Sequence, residues 1–365
     1  GTCESGEVAW LDTAKPVDQV TTPHRRGTVQ RELEFAPFRN EALFTDHYLL
    51  DVLPQETDLW QLDDLAQVRT QLEALWEEQA DQVEGYNEAQ LEENFIKRVL
   101  AILGHVWEVQ PRAGSHRPDY GFFANEEARD RARSEEDGSP EYWRHAFAVG
   151  DAKQWDQKLD RALTGGSGWD FQNPSFQIYY YLAETGCRWA ILTNGRQWRL
   201  YSSEPKPDMQ VFYEIDLPTL LQSGNPEDLA YLWLFFRQEA FLPDADGVSF
   251  LERVQTESDL AAEKLREDVR ERVYRALEEA CRGFADQETG DLSEERLKTI
   301  YDNSLVFLYR LLFIFYAEAA DLLPLRENNL YRERFSLQAV EREVHDDRDD
   351  FRSGMVTLWP RLQEL

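Results

Sequence analysis

Ala146-Phe-Ala-Val-Gly-Asp-Ala-Lys153 begins with apolar residues and ends with an acid and a base two positions apart. An apolar run of this length predicts a buried strand, and its polar end is expected to emerge from the core. Because side chains alternate along a strand, Asp151 and Lys153 should lie on the same face. The run therefore predicts a sheet with a charged pair at the end of one strand.

Helical and strand patterns alternate on both sides of this run. The predicted order is helix, strand, strand, strand, helix, strand, strand, over residues 88–103, 105–109, 120–123, 146–153, 173–184, 188–193 and 197–201. A further strand is expected over 211–215. Asn194-Gly195, between the last two strands, is a strong signal for a hairpin turn. This order predicts a mixed α/β sheet flanked by helices.

The pattern divides the chain into three parts. Residues 1–30 are polar and are interpreted as a loose leader, residues 31–245 form the α/β domain with its N-terminal helical elements, and residues 246–365 are helical. Leu305–Ala320 is apolar on almost every side, which predicts a buried helix. Its 16 residues, interrupted by Arg310, are too few for a membrane span, and no membrane partner is expected. The first and last residues suggest a fragment of a longer protein.

Acidic residues are spread along the whole chain. The net charge is −31 at pH 7, and only seven of the 39 basic residues are lysine. Such a surface is favoured in a high-salt cytoplasm, where screening removes self-repulsion, although an ordinary acidic domain remains the alternative. Three widely spaced cysteines indicate a reducing cytoplasm rather than disulfides or a zinc cluster. A nucleic-acid site on this chain must be local, because no whole face is basic.

Two short segments carry candidate chemistry. Arg117-Pro-Asp119 precedes one predicted strand, and Gly150-Asp-Ala-Lys153 ends another. Two carboxylates can hold Mg²⁺, which lowers the pKa of a bound water, and a neighbouring ammonium can stabilise charge on a phosphate. Each segment alone is common, and a turn with a surface salt bridge is the alternative.

In this order, the segments resemble the PD-(D/E)XK nuclease superfamily, whose motif stands here as Pro118-Asp119 and Asp151-Ala152-Lys153. The resemblance implies a nuclease-like sheet, Mg²⁺ as cofactor, Lys153 as a catalytic residue, and an additional acid on the preceding helix as a metal ligand. Glu92 matches that acid best, with Glu93 a near-equal alternative. A solvated helix face is the simpler interpretation of either residue.

A second resemblance concerns the helix after this motif. Gln177 and Tyr181 match the Gln-x-x-x-Tyr motif of nucleases similar to the RecB branch, which implies that both contact substrate or brace the site. Residues four apart share one helix face. The alternative is core packing for Tyr181 and solvent for Gln177. Arg117, beside the first motif, is the candidate for contact with phosphate.

Longer segments resemble the N-terminal part of large type IIG restriction-modification proteins. Trp189–Tyr201 looks like their closing hairpin, and Tyr309–Glu318 with Leu322-Leu-Pro324 looks like their helical connector. The resemblance implies a DNA endonuclease that acts on double-stranded DNA in phage defence. It also implies a connector that leads to an absent adenine-specific methyltransferase using S-adenosylmethionine. A homodimer or accessory restriction proteins are the expected protein partners.

Two other functions are compatible with the same sequence. One is a non-catalytic module that retains the fold and binds DNA or positions a methyltransferase. The other is a helical scaffold whose partner docks on the region after residue 250. An intact set of two acids and a lysine favours the endonuclease.

Overall fold

The computed structural model describes residues 37–56, 63–155, 157–161, 170–223, 225–288, 290, 292–320, 322–346, 358 and 362. The predicted leader over residues 1–30 lies outside them. The chain forms two compact units, one comprising Gly1–Leu43 and Thr57–Leu251, the other Phe44–Glu56 and Glu252–Leu365. The division after Leu251 lies near the predicted boundary at 245. The short segment Phe44–Glu56 belongs to the second unit, whereas the sequence pattern grouped it with the α/β domain.

The first unit is built on one seven-stranded sheet, in the order β1-β7-β6-β5-β4-β3-β2. Its strands are β1 Arg39–Glu41, β2 Val106–Val109, β3 Tyr120–Phe123, β4 Ala146–Ala152, β5 Trp189–Thr193, β6 Gln197–Ser202 and β7 Phe212–Asp216. Strands β4 and β5 are parallel, and every other neighbouring pair is antiparallel. The predicted mixed α/β sheet with flanking helices and a helical C-terminal region is confirmed.

Helices and short helical turns connect these strands and form most of the second unit. The α-helices are α1 Asp63–Gln79, α2 Glu88–Leu91, α3 Lys97–Ile102, α4 Glu126–Ser134, α5 Pro140–Trp143, α6 Pro174–Thr185, α7 Leu217–Gln222, α8 Pro226–Phe236, α9 Phe250–Ala285, α10 Glu294–Ala319 and α11 Leu337–Asp346. A π-helical turn, Glu92–Ile96, joins α2 to α3, so that the predicted helix over 88–103 is continuous but changes its winding.

The centre of the sheet is buried on both faces. The α6 helix makes the crossover that a parallel β4–β5 pair requires, and the Asn173 side chain caps its first turn. On the α6 face, Val149 and Leu192 pack in one cluster with Ile178. On the opposite face, Trp198 of β6 lies edge-on to Phe236 of α8, with ring centroids 6.4 Å apart. Helices therefore cover both sides, which explains the apolar runs of the central strands.

Two elements of the sheet region differ from the sequence-based expectation. Residues 125–138 are highly charged and give no core signal in the sequence, but they contain the α4 helix, whose Ala132 is fully buried. One small residue among many charges gives almost no periodic signal, although it suffices to anchor a short helix. The edge strand β1 was also missed, because Arg-Asn-Glu has no strand-like composition.

The second unit consists of α9, α10 and α11 with the segment Phe44–Glu56. Thr45 Oγ1 donates a hydrogen bond to the Ser258 carbonyl oxygen at 2.9 Å, and this anchors the segment on α9. Near the other end of the unit, buried Glu318 accepts hydrogen bonds from the Leu337 and Gln338 backbone N–H groups, at 2.6 and 3.3 Å. These polar contacts add to the burial of apolar side chains such as Tyr48, Leu49 and Leu53 in the same unit.

The apolar segment Leu305–Ala320 was expected to form a buried helix, and that expectation is wrong in part. It is helical, as the C-terminal half of α10, but most of its large side chains are exposed. Tyr309, Phe313 and Tyr316 have exposed fractions of 67%, 68% and 65%. Among the described residues of this unit there is no strand, and so no sheet that could cover the helix. By length and composition alone, the 26-residue α10 helix is long and apolar enough to cross a membrane, and little of it is buried.

Replacing Gly150 with alanine is expected to destabilise the first unit. A Cβ atom there would lie 2.6 Å from the Phe122 ring and 3.3 Å from the Ile191 carbonyl oxygen. Overpacking of this kind costs about 1–3 kcal/mol, and each kcal/mol lowers the melting temperature by roughly 2–4 °C. Thermal unfolding measures the change. Gly85→Ala is the matched control, since nothing lies within 4 Å of its added carbon; equal melting temperatures for the two variants would contradict the packing described.

Candidate metal and catalytic site

Asp119, Asp151 and Lys153 come together where β3 begins and β4 ends. Because β3 and β4 are antiparallel neighbours, with Tyr120 opposite Gly150, the residue before β3 meets the end of β4. Asp119 Oδ2 accepts a hydrogen bond from the Ala152 backbone N–H at 2.8 Å, which fixes its carboxylate beside Asp151. Lys153 forms an ion pair with Asp151. The predicted convergence of two acids and a lysine is present.

The Asp151 carboxyl group lies in a strongly unfavourable environment for a negative charge. It is only 3% exposed, and Oδ2 makes no hydrogen bond that meets normal geometry, although it faces the Lys153 ammonium. Burial raises the pKa of Asp151 well above its usual range, and the nearby Asp119 charge raises it further, against the opposing effect of Lys153. Such a carboxylate is ready to accept a cation.

Lys153 is buried among acids that favour the charged form of its amino group. Burial by itself would lower its pKa, but the negative charges of Asp151, Asp119 and Glu88 outweigh burial, and the pKa is raised. Its backbone N–H continues the β4–β5 pairing by donating to the Thr193 carbonyl oxygen at 2.8 Å, and its Nζ donates to the Ala152 carbonyl oxygen at 2.8 Å. The bond to Thr193 therefore fixes the backbone of Lys153, and the Ala152 carbonyl oxygen holds its ammonium group.

Among the acids of the preceding helix, Glu92 faces this cluster and Glu93 does not. Tyr120 donates its hydroxyl to Glu92 Oε2 at 2.6 Å, whereas exposed Glu93 pairs with Lys97. Burial raises the pKa of Glu92, the Tyr120 hydrogen bond lowers it, and the Asp119 charge raises it. Glu92 is the first residue of the π-helical turn, and single turns of this type often occur at functional sites.

Glu88 is a fourth acid at the site, and sequence reasoning missed it. It is half-buried at the first position of α2, where the Asn87 capping box fixes the helix start. Burial raises its pKa, the Lys153 charge lowers it and the Asp119 charge raises it, which places its carboxyl group close to both. The available signal was its position one helical turn before Glu92, since residues four apart share a helix face.

The three predicted substrate-contacting residues have different surroundings. Tyr181 lies on α6 and is buried in the core. Burial raises its pKa, and the charges of Asp151 and Asp119 raise it further, so that Tyr181 lies near these two acids. Gln177 donates from Nε2 to the Phe171 carbonyl oxygen at 2.7 Å. Exposed Arg117 pairs with Asp137 at 2.9 Å. In the part of the chain that the structure describes, Tyr181 is therefore the one of the three that lies near the acid cluster, which consists of Asp119, Asp151, Glu88 and Glu92.

The donor groups are those that Mg²⁺ prefers. Carboxylate oxygens are hard ligands, and Mg²⁺ is usually held by one or two of them together with water and substrate oxygens. Within the described ranges, no group of three or more His, Cys, Asp or Glu side chains is arranged to hold one ion. The geometry thus supports Asp119 and Asp151 as a pair of ligands, while Glu92 as a third ligand stays a prediction.

No family model, curated protein or solved structure matches this chain.

Substituting Asp151 with asparagine is expected to raise the melting temperature in EDTA at pH 7.5. Asp151 binds its proton more tightly in the folded chain, so its contribution to stability is present at low pH and is lost as pH rises above its unfolded pKa of about 4. Asparagine does not ionise, so the variant does not lose this stability as the pH rises. Asp119 and Glu88 still compensate the charge of Lys153. A gain of about 1 kcal/mol corresponds to roughly 2–4 °C.

The control for this substitution is Asp130→Asn, which changes an exposed acid on α4. The stabilisation by Asp151→Asn should shrink as the pH falls towards the unfolded pKa of about 4, and it should vanish below that pKa, where the wild-type carboxyl group is protonated in both states. A variant that melts below the wild type at pH 7.5 would show that the Asp151–Lys153 ion pair is net stabilising, contrary to the expectation.

Proposed function

We propose that the chain is a magnesium-dependent DNA endonuclease with a PD-(D/E)XK nuclease-like first unit. The observation that carries the proposal is the meeting of Asp119, Asp151 and Lys153 at the end of two antiparallel strands, with Ala152 N–H holding Asp119 in place. Two acids and a buried cation at one point suit phosphodiester hydrolysis, which needs both a metal ligand set and positive charge at the phosphate.

Each residue has a defined part in this chemistry. Asp119 and Asp151 would hold the ion. Mg²⁺, when bound, supplies charge neutralisation and lowers the pKa of a water. Lys153, which pairs with Asp151, would orient the attacking water and stabilise the negative charge that develops on the phosphate. Tyr120 holds Glu92 towards the cluster through its hydroxyl group.

The wider setting of the proposal is restriction of phage DNA. The hairpin Trp189–Tyr201 and the helical segment Tyr309–Glu318 resemble type IIG restriction-modification proteins, in which the nuclease precedes an adenine-specific methyltransferase that uses S-adenosylmethionine. We extend the proposal to a chain that works within such a protein on double-stranded DNA, as a homodimer or with accessory restriction proteins.

The endonuclease proposal predicts nicking of supercoiled plasmid in the presence of Mg²⁺ and none in EDTA. Asp151→Asn and Lys153→Ala are each expected to lower the nicking rate at least about a hundredfold, because each removes a group that stabilises the transition state. Agarose-gel conversion of supercoiled to open-circular DNA measures the rate.

Two exposed substitutions, Asp130→Asn and Lys206→Ala, match these changes in charge away from the strand ends and should leave nicking unchanged. If all four variants and the wild type nick at the same rate, the activity does not come from this site. If none of the proteins nicks any DNA, with or without Mg²⁺, while all remain folded, the non-catalytic DNA-binding module becomes the better interpretation.

The helix acids are expected to contribute unequally. Glu92→Gln and Glu88→Gln should each reduce nicking about tenfold or more, because both carboxylates face the Asp119–Lys153 cluster. Glu93→Gln should have no effect, since that side chain is exposed and pairs with Lys97. The same plasmid assay, titrated with Mg²⁺, separates a weaker metal affinity from a lower maximal rate. A Glu93 variant as defective as the Glu92 variant would contradict the geometry.

A further inference from the structure

We propose that an unpaired nucleotide of the DNA substrate stacks its base on an aromatic stack next to the acid cluster, formed by His116, Phe171 and Tyr180. The inference rests on the proposed nuclease function and adds a substrate preference: DNA with an unpaired base close to the cleaved phosphate.

The His116 stack is an ordered and partly exposed surface. The His116 and Phe171 rings stack with centroids 3.7 Å apart and planes 19° apart, and Tyr180 meets His116 edge-on at 5.3 Å. All three side chains are half-buried. Phe171 and Tyr180 pack against the core cluster that includes Tyr181. The stack is thus supported from beneath and remains partly open to solvent.

Backbone geometry holds His116 in this position. Ala113 and His116 exchange two backbone hydrogen bonds, at 2.8 and 3.0 Å, which closes a tight turn. Gly114, inside the turn, has φ +57°, and a Cβ atom there would lie 2.5 Å from the Tyr180 hydroxyl oxygen. The glycine is therefore required for the turn to approach α6. Because the His116 ring is already held in place, it loses little conformational entropy when a base stacks on it.

The stack lies close to the proposed site of cleavage. His116 is three residues before Asp119, and three residues span at most roughly 10 Å. That reach corresponds to about three nucleotides along a strand at the spacing of duplex DNA. Tyr180 is also adjacent in sequence to Tyr181, whose pKa is raised by burial and by the charges of Asp151 and Asp119. A base on the stack and a phosphate at the acids can therefore belong to one short piece of strand.

The chemistry of the stack favours a base over a phosphate. Phosphates are bound by arginine, lysine and N–H groups, whereas bases stack on aromatic rings, and the half-buried His116 and its two neighbours keep part of their ring surface open to solvent. The Glu184 carboxylate lies beside Gly114, within 2.6 Å of the position of an added Cβ atom, and its charge repels phosphate. Bases within a duplex already stack on one another, so that the face of a base becomes available only where pairing is interrupted.

Binding of fluorescein-labelled DNA to the whole chain, followed by anisotropy in EDTA, tests the inference without any requirement for cleavage. The probes are a 24-base-pair duplex, the same duplex with a four-nucleotide gap, and the corresponding single strand. The gapped duplex and the single strand are expected to bind at least about fivefold more tightly than the intact duplex. Equal or tighter binding of the intact duplex would overturn the inference.

Variants at His116 identify the surface responsible. Stacking of one base contributes about 1–3 kcal/mol, so His116→Ala should weaken binding of the gapped probe about tenfold and leave intact-duplex binding unchanged. His116→Phe keeps a ring and should retain the preference; its loss would show that charge, not stacking, binds the DNA. His145→Ala, a half-buried histidine at the opposite end of β4, is the matched control.

The outcome is independent of nuclease activity. Asp151→Asn should keep the preference for the gapped probe while abolishing nicking. If the wild type nicks DNA but shows no preference for the gapped probe, the stacking inference is wrong and the nuclease proposal is unaffected. If the wild type prefers the gapped probe but nicks no DNA, the nuclease proposal is wrong and base stacking on His116 is supported.

Discussion

The ammonium group of Lys153 is the charge on which the acid cluster depends. Asp119, Asp151, Glu88 and Glu92 lie near one another, three of them raised in pKa by burial. Burial of an uncompensated carboxylate is costly, and mutual repulsion adds to the cost. Lys153 offsets part of it, since its own pKa is raised by these acids despite burial. The site thus holds more acidic groups than basic ones, and a divalent cation would offset that imbalance.

Much of the sheet could be predicted from local pattern. Central strands such as β3, β4 and β5 are apolar runs, and Asn194-Gly195 marks the hairpin, where Gly195 has φ +82°. The pattern could not predict the β1 strand, whose three polar residues pair with β7 only because the rest of the sheet provides an edge. It also could not predict the exposure of α10, because an apolar helix is buried only if another element covers it.

The site was predictable in its acids and lysine but not in its surroundings. Asp151 and Lys153 share a strand, so their relation follows from alternation alone. The choice of Glu92 over Glu93 depends on the phase of a helix that contains a π-helical turn, which sequence periodicity does not reveal. Glu88 and His116 belong to the region through contacts between segments distant in sequence, Glu88 beside Lys153 and His116 against Phe171. Local pattern does not show which distant segments will meet.

Because β3 and β4 pair antiparallel, the number of residues between Asp119 and Asp151 does not decide whether the two side chains meet. Asp119 and Asp151 meet at one end of these strands, while the chain between Phe123 and Ala146, including α4 and α5, connects them at the other end. Residues added to or removed from that connection leave the acids in register, provided that the strand pairing survives. Relatives of this chain could therefore differ widely in the number of residues between the two aspartates, and a search that fixes this interval would overlook them.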